Sequence, residues 1–298
     1  MTMTNQLITD LLSALELTKI SHDTFLAPSF DFVGARVFGG QVLAQAMLAG
    51  AKTLEYDKPC HSFHGYFLRG GDIRYPVAYQ VRRLRDGRSL SARQITAVQN
   101  IPSEFGEKEQ VIFSMIASFS PMEGGLDYQP TMPDYPHADT LKDEQDLKQQ
   151  YLSDIPTALH ERYLKPRHIQ IRPINPRHPL NPAPTDPHQA VWLKIAIESQ
   201  PIAIHQALLA FASDYYLIST ALMPHGLTYG TPNLQVASID HAMHFHRPFD
   251  VSEWLLYDMW SDTASHAKGL NHGQFWQNGH LIATTAQEGL MRVVGAEH

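Results

Sequence analysis

Cysteine is almost absent: Cys60 is the one thiol in 298 residues. No intramolecular disulfide can form, and there is no CxxC pair for a metal or for redox chemistry. Basic residues are also scarce. Lys and Arg number 23 against 30 Asp and Glu, a formal charge of −7 with His neutral. That excludes general nucleic-acid binding, which leans on a basic surface to neutralise phosphates. A local basic pocket for one polyanionic small molecule is still open. Long apolar runs are missing too. No stretch approaches the roughly 20 apolar residues that span a bilayer, so no membrane association is expected. The N-terminal run MTMTNQLITDLLSALEL has no basic start and carries Asp10 and Glu16, which makes it an amphipathic helix rather than a signal peptide. The C-terminal VVGAEH carries no peroxisomal or retention tripeptide. A cytoplasmic protein is the expectation. There is no GxSxG elbow either, which removes the usual setting of a nucleophilic serine on an α/β sheet.

What is present is a chain with 43% hydrophobic residues, ample for a packed core. Its 17 His and 20 Pro are high counts. The prolines crowd between Met132 and Pro187, beside the charged stretch 142–150, which is the composition of a connector holding a short helix. The expected organisation is an N-terminal half over 1–126, a connector over 127–165 and a C-terminal half over 166–298.

The two halves repeat each other. Phe67, Arg69, Asp72 and Tyr79 match Phe245, Arg247, Asp250 and Tyr257, each pair 178 positions apart. Upstream of each match lies a helical run, 40–54 and 203–222. Downstream lie strand-like runs: 77–84, 91–98 and 110–119 in the first half, 254–260, 270–276 and 280–291 in the second. Asp86-Gly87 and Asn278-Gly279 sit between strands, where both dipeptides tolerate positive φ in a hairpin. The recurring arginines are expected to pair with Asp72 and Asp250. Each half reads as one long helix followed by an antiparallel meander, an α+β, double-hotdog arrangement.

One residue breaks the helical pattern. At about 100° per residue, Asp214 shares its face with Ala203, Ala207, Ala210, Phe211, Leu217, Ile218 and Ala221, opposite His205, Tyr216 and Ser219. Burying a carboxylate is costly unless donors satisfy it. A structural Asp bonded to an amide or a Tyr hydroxyl fits this position as well as a functional one. The repeat favours function. With Gly40-Gln41 opposite His205-Gln206, Ala49 stands opposite Asp214, so one half keeps the packing residue and the other carries the acid.

Several runs resemble the acyl-CoA thioesterase II family: VFGGQVL (37–43), HSFHGYFLR (61–69), LRDGRS (84–89), ASD (212–214), IDHAMHFHRPF (239–249), EWLLY (253–257) and AQEGLMR (286–292). They follow the family's order over nearly the whole chain; only the connector is loose. The resemblance implies a double hotdog and hydrolysis of fatty acyl-CoA to free fatty acid and CoA over a broad chain-length range, without a cofactor. It implies an active site of Asp, Thr or Ser, and Gln holding one water. Residue by residue these fall on Asp214, Ser238 and Gln287. Assembly as a homo-oligomer through the sheets is expected by analogy with other hotdog proteins.

The three types suit thioester hydrolysis. An Asp accepts a proton from water, a Gln both donates and accepts, and a Ser hydroxyl bonds either. A triad of Ser238, Asp240 and His241 is geometrically poor, because on a strand His241 points away from Ser238. Cys60 reads as a small buried residue. His241, His244 and His246 with Asp240 lack the further ligands a metal wants, so no metal is expected. Gly39-Gly40 opens a helix whose N–H groups could hold a CoA phosphate. Arg82, Arg83, Arg85, Arg88 and Arg93 cluster near one hairpin, Arg93 being the candidate for the same role, although a solvated charged face is the commoner reading. Two other functions stay open: a hotdog enoyl-CoA hydratase, which wants a His beside the Asp, and a non-catalytic acyl-CoA-binding module.

Overall fold

The alternating segments become one antiparallel sheet in the computed structural model, which describes residues 3–34, 36–56, 58–103 and 106–295. The last three residues, read above for a targeting tripeptide, lie outside the described residues. The strands in chain order are β1 (Thr18–Ser21), β2 (Thr24–Ala27), β3 (Cys60–Phe67), β4 (Val77–Asp86), β5 (Ser91–Ser103), β6 (Gly106–Phe119), β7 (Gln170–Pro173), β8 (His188–Lys194), β9 (Leu234–Ser238), β10 (Asp240–Phe245), β11 (Leu255–Ser265), β12 (Lys268–Gln277) and β13 (His280–Val293). The helices are α1 (Met3–Ala14), α2 (Gly39–Ala51), α3 (Glu144–Gln150), α4 (His160–Leu164) and α5 (Ile202–Ser213).

The sheet runs β1-β2-β4-β5-β6-β3-β10-β13-β12-β11-β8-β7, with β9 paired to β13. Read outward from the central β3–β10 pair, the two wings have the same order. The register of that pair is self-complementary: Ala242 faces His64 and His244 faces Ser62 while Asp240 faces Tyr66, so residues 178 apart exchange places. A hydrogen-bond pair repeats at the same offset. Asp72 N–H donates to Gln99 Oε1 at 2.8 Å and Gln99 Nε2 returns to Asp72 O at 2.8 Å. Asp250 N–H donates to Gln277 Oε1 at 3.0 Å and Gln277 Nε2 returns to Asp250 O at 2.7 Å. The matched Asp side chains repeat a contact too, each accepting from the N–H two residues on, Arg74 and Ser252. Arg69 donates to Val111 O and Arg247 to Leu281 O and to Asp127, so the expected Arg69–Asp72 and Arg247–Asp250 pairs do not form.

The two apolar helices pack against each other beneath the sheet and share one core. Val42, Leu43 and Met47 from the first and Leu208, Phe211 and Ala212 from the second belong to that core, with Phe38, at the N-cap of α2, against the Phe211 ring. Gly40 permits the close approach, since a Cβ there would lie 2.3 Å from Phe211 O. The helices run in opposite senses, so the start of α2 meets the end of α5.

Three expectations need correcting. The second helical run does not continue from 203 to 222. It stops at Ser213, Asp214 caps it, Tyr216 takes φ 67°, and a 3₁₀ helix follows over Leu217–His225. That bend is held from outside the helix. Gln189 Nε2 donates to Tyr216 O at 3.0 Å, and the Tyr216 hydroxyl donates to Glu144 Oε1 at 2.7 Å. The Asn278-Gly279 hairpin has positive φ at both residues as expected, whereas Asp86-Gly87 opens a wider turn closed by Gly87 N–H to Leu90 O. Finally, the run Ile202–His225 is long and apolar enough by composition to cross a bilayer, but 78% of its apolar window is buried inside the protein, where it forms the core.

Candidate active site

An α-helix begins with N–H groups that lack partners within the helix. In α2 the N-cap position is Phe38, which supplies no side-chain acceptor. The acceptor comes from the other half: Gly40 N–H donates to Asp214 Oδ2 at 2.9 Å. Asp214 therefore stands between two helix ends. The negative end of α5, which it caps, disfavours its charge, and the positive end of α2 favours it. Gly39 leaves room for the carboxylate, because a Cβ there would lie 2.6 Å from Asp214 Oδ2.

The other oxygen of Asp214 faces the sheet. Gln287 Nε2 on β13 donates to Asp214 Oδ1 at 2.9 Å, and Ser238 Oγ at the end of β9 donates to the same oxygen at 3.4 Å. Gln287 Nε2 also lies 3.1 Å from Ser238 Oγ and 3.2 Å from His241 Nδ1. The structure thus brings Asp214, Ser238 and Gln287 together. Pairing of β9 and β10 around the same stretch of β13 makes this possible, with Ser238 opposite Gly289 and Ala242 opposite Ala286. Gln287 is fully buried, and its Oε1 has no hydrogen-bond partner among the described residues. That atom is an acceptor left over beside Asp214 and Ser238. Asp214 itself is half-buried. Desolvation pushes its carboxyl up to about 6, opposed by the donors Gln287, Gly40 N–H and Ser238. A carboxylate with that value is ionised at neutral pH yet still a usable base.

His241 joins the site, contrary to the strand geometry expected of it. The chain leaves regular pairing at Ile239 between β9 and β10, which resets the alternation after Ser238. The ring is fully buried and bridges Gln287 Nε2 to Ser213 Oγ, 2.9 Å from Nε2. Burial, with His64 as a lesser contributor, pushes its imidazole down to about 3, so it is neutral. Sequence alternation could not find this residue, since the kink that turns it inward leaves no mark in composition.

The candidates for the CoA phosphates fare differently. Arg93 is fully buried and bonded to Thr53, Asp86 and the carbonyls of Arg85 and Ala92, so it cannot reach a substrate. The first turn of α2, at Gly39 and Gly40, meets a carboxylate of the same chain rather than a phosphate. The Gly40 N–H and the Arg93 guanidinium are thus spent inside the protein. Cys60 is buried, and desolvation pushes its thiol far above its ordinary range, which leaves it inert as a nucleophile. Among the described residues no group of three or more His, Cys, Asp or Glu could hold a metal ion.

Comparison with known proteins agrees with the resemblance. Residues 160–290 match the family model described as acyl-CoA thioesterase, and residues 26–120 match that of the acyl-CoA thioesterase N-terminal domain. The chain is 38% identical to acyl-CoA thioesterase 2 of Haemophilus influenzae, over 97% of this chain and 99% of that protein. It is 35% identical to human acyl-coenzyme A thioesterase 8, over 94% and 88%. A solved acyl-CoA thioesterase II from Mycobacterium marinum superposes with a TM-score of 0.75 at 32% identity, covering 96% of this chain and 99% of that one. A hot dog protein from Alicyclobacillus acidocaldarius, at 16% identity and a TM-score of 0.71, shares the fold. The chain belongs to the acyl-CoA thioesterase family and has the hotdog fold.

Proposed function

We propose that this protein hydrolyses fatty acyl-CoA to a free fatty acid and CoA, using one water activated by Asp214, Ser238 and Gln287. The convergence of those three side chains, with the buried Gln287 Oε1 left to accept a hydrogen bond, is the observation that carries the reading. Gln287 Oε1 and the Asp214 carboxylate accept the two protons of the water and aim its lone pair at the thioester carbonyl. Asp214 takes one proton as the water oxygen bonds to the carbonyl carbon. The tetrahedral intermediate collapses with cleavage of the C–S bond, and the proton on Asp214 passes to the leaving thiolate, giving the acid and the thiol. Ser238 gives its one hydrogen to Asp214 Oδ1 and holds that carboxylate in place.

The matched wings of the sheet and the two helices support a finer architectural reading, two tandem hotdog halves over 1–126 and 166–298 joined by the connector 127–165. The acyl range we propose is medium to long. A hydratase reading loses its support, because His241 is sealed behind Gln287 and cannot touch a substrate. The test is to incubate the protein with palmitoyl-CoA and with a 2-enoyl-CoA. Release of free thiol from the first, without hydration of the second, is expected. Hydration without thiol release, or binding without either reaction, overturns the proposal.

A further inference from the structure

We propose that His241 is a positioning residue: its ring fixes which way round the Gln287 carboxamide sits, presenting Nε2 to Asp214 and Oε1 to the reacting water. The inference rests on the catalytic reading above and adds to it the group that makes Gln287 point correctly.

The hydrogens can be counted along a chain of contacts. The Ser213 hydroxyl donates to Ala210 O at 2.9 Å, one turn back in its own helix. Having given its only hydrogen there, Ser213 Oγ can only accept from His241 Nε2 at 2.9 Å. The proton of the neutral ring is therefore on Nε2, and Nδ1 is a bare acceptor. Nδ1 lies 3.2 Å from Gln287 Nε2. The nitrogen of Gln287 thus faces Ser238 Oγ at 3.1 Å, whose hydrogen goes to Asp214, and two acceptors with no hydrogen of their own, His241 Nδ1 and Asp214 Oδ1. Turning the amide over would set Oε1 against both, a carboxylate and an imine lone pair at once. With the amide held this way, Oε1 is the atom left over, buried and without a partner among the described residues. The arrangement costs nothing at the moment of reaction, because every dipole is already placed.

The surroundings isolate the device. Facing His241 are His64 on β3, itself paired with Asp240 Oδ2 at 2.9 Å, and the ring of Phe63. Facing Asp214 are Gly40 N–H on α2, Ser238 on β9 and Gln287 on β13, with the phenols of Tyr215, Tyr229 and Tyr257 near it, all raised above their ordinary range. None of these phenols changes charge near pH 6.

Two substitutions separate positioning from mere packing. In His241→Asn the side-chain oxygen can replace Nδ1 as the acceptor for Gln287. In His241→Gln the amide reaches toward Ser213, and the acceptor beside Gln287 is lost. We measure kcat, KM and the acid limb of kcat/KM against pH for each, with a melting curve. His241→Asn should keep kcat within about threefold and leave the limb in place. His241→Gln should lose about tenfold or more in kcat with KM little changed. Its acid limb should move up by about one pH unit, because the free amide no longer holds a donor on Asp214. Packing loss alone would lower the melting temperature and leave the limb where it was. Ser213→Ala gives a second reading without touching either contact to Gln287. It releases the tautomer, and it should shift the limb in the same direction. An unmoved limb in both folded His241→Gln and Ser213→Ala overturns the proposal, as does an equal loss in His241→Asn and His241→Gln. If Asp214→Asn keeps turnover, the catalytic reading itself has failed. If Asp214→Asn is inactive and the limb of His241→Gln is unmoved, only the role of His241 has.

Discussion

At the scale of single residues, the proposed mechanism has Asp214 give up stability for chemistry. Its carboxyl stands at about 6 in the folded protein against 3.8 for an ordinary Asp, because burial outweighs its donors. The folded state therefore binds this proton more tightly than the unfolded chain. The stability linked to it is present below pH 3.8 and is lost as pH rises to about 6. The loss amounts to roughly 3 kcal/mol in all. Asp214→Asn should remove that dependence. Its melting temperature relative to the parent should rise between pH 4 and 6 and stay level above, read by calorimetry across that range. Ser238 should tolerate Thr, which keeps the hydroxyl, whereas Ser238→Ala should lower kcat by about tenfold or more with little change in fold. Arg93 gives the opposite pattern. Arg93→Leu should lower the melting temperature by roughly 5 °C or more and leave the KM for acyl-CoA unchanged, since every hydrogen bond it makes is internal. Of these residues, Asp214 was legible from its place on an apolar helix face, and Ser238 and Gln287 from motif resemblance. His241 was not, because a one-residue break in strand pairing reverses the direction that alternation assigns. The burial of Arg93 is not legible either, because composition shows a cluster of charge but not which member of the cluster is inside.

At the scale of elements, the decisive contact is end to end, with α2 starting where α5 stops. Gly39 and Gly40 make it possible in two different ways, which substitution can separate. In Gly40→Ala the new methyl meets the Phe211 carbonyl at 2.3 Å, a backbone group that cannot move without parting the helices. A loss of about 2 kcal/mol or more in unfolding free energy is expected by denaturant titration. In Gly39→Ala the nearest atom is the Asp214 carboxylate itself at 2.6 Å. Displacing it should cost kcat more than stability. Strand positions were well marked by alternation: β11, β12 and β13 begin within two residues of the expected starts. The end of α5 was not marked. Apolar periodicity runs on through Tyr216, and the bend there is imposed by Gln189 and Glu144, which lie far away in sequence.

At the scale of the whole molecule, the repeat sets Asp214, Ser238 and Gln287 together at one end only. The register that places Gln287 on β13 sets Ala117 in the matching place on β6, since Ala286 pairs with Ala242 as Ile116 pairs with His64. The counterparts of Asp214, Ser238 and Gln287 are then Ala49, Cys60 and Ala117, all buried. At that opposite end a cleft lined by Met47, Cys60 and Gln206 survives, but Gln206 there bonds both backbone groups of Cys60. The two wings of the sheet both keep a helix-end junction, and one of the two carries a carboxylate. The sequence shows the duplication through Phe, Arg, Asp and Tyr at constant spacing. It does not show the shared core, in which Phe38 packs edge-on against Phe211 at 5.1 Å.

The claim on which the rest depends is that a carboxylate lodged between two helix ends removes the proton from the attacking water. The direct measurement is kcat for palmitoyl-CoA hydrolysis by Asp214→Asn, taken beside its melting curve at pH 8. A fall of about a hundredfold or more with the melting temperature maintained is the predicted result, and no half-activity should remain from the other junction. Turnover within a few-fold of the parent, in a protein that melts as it should, would contradict the account.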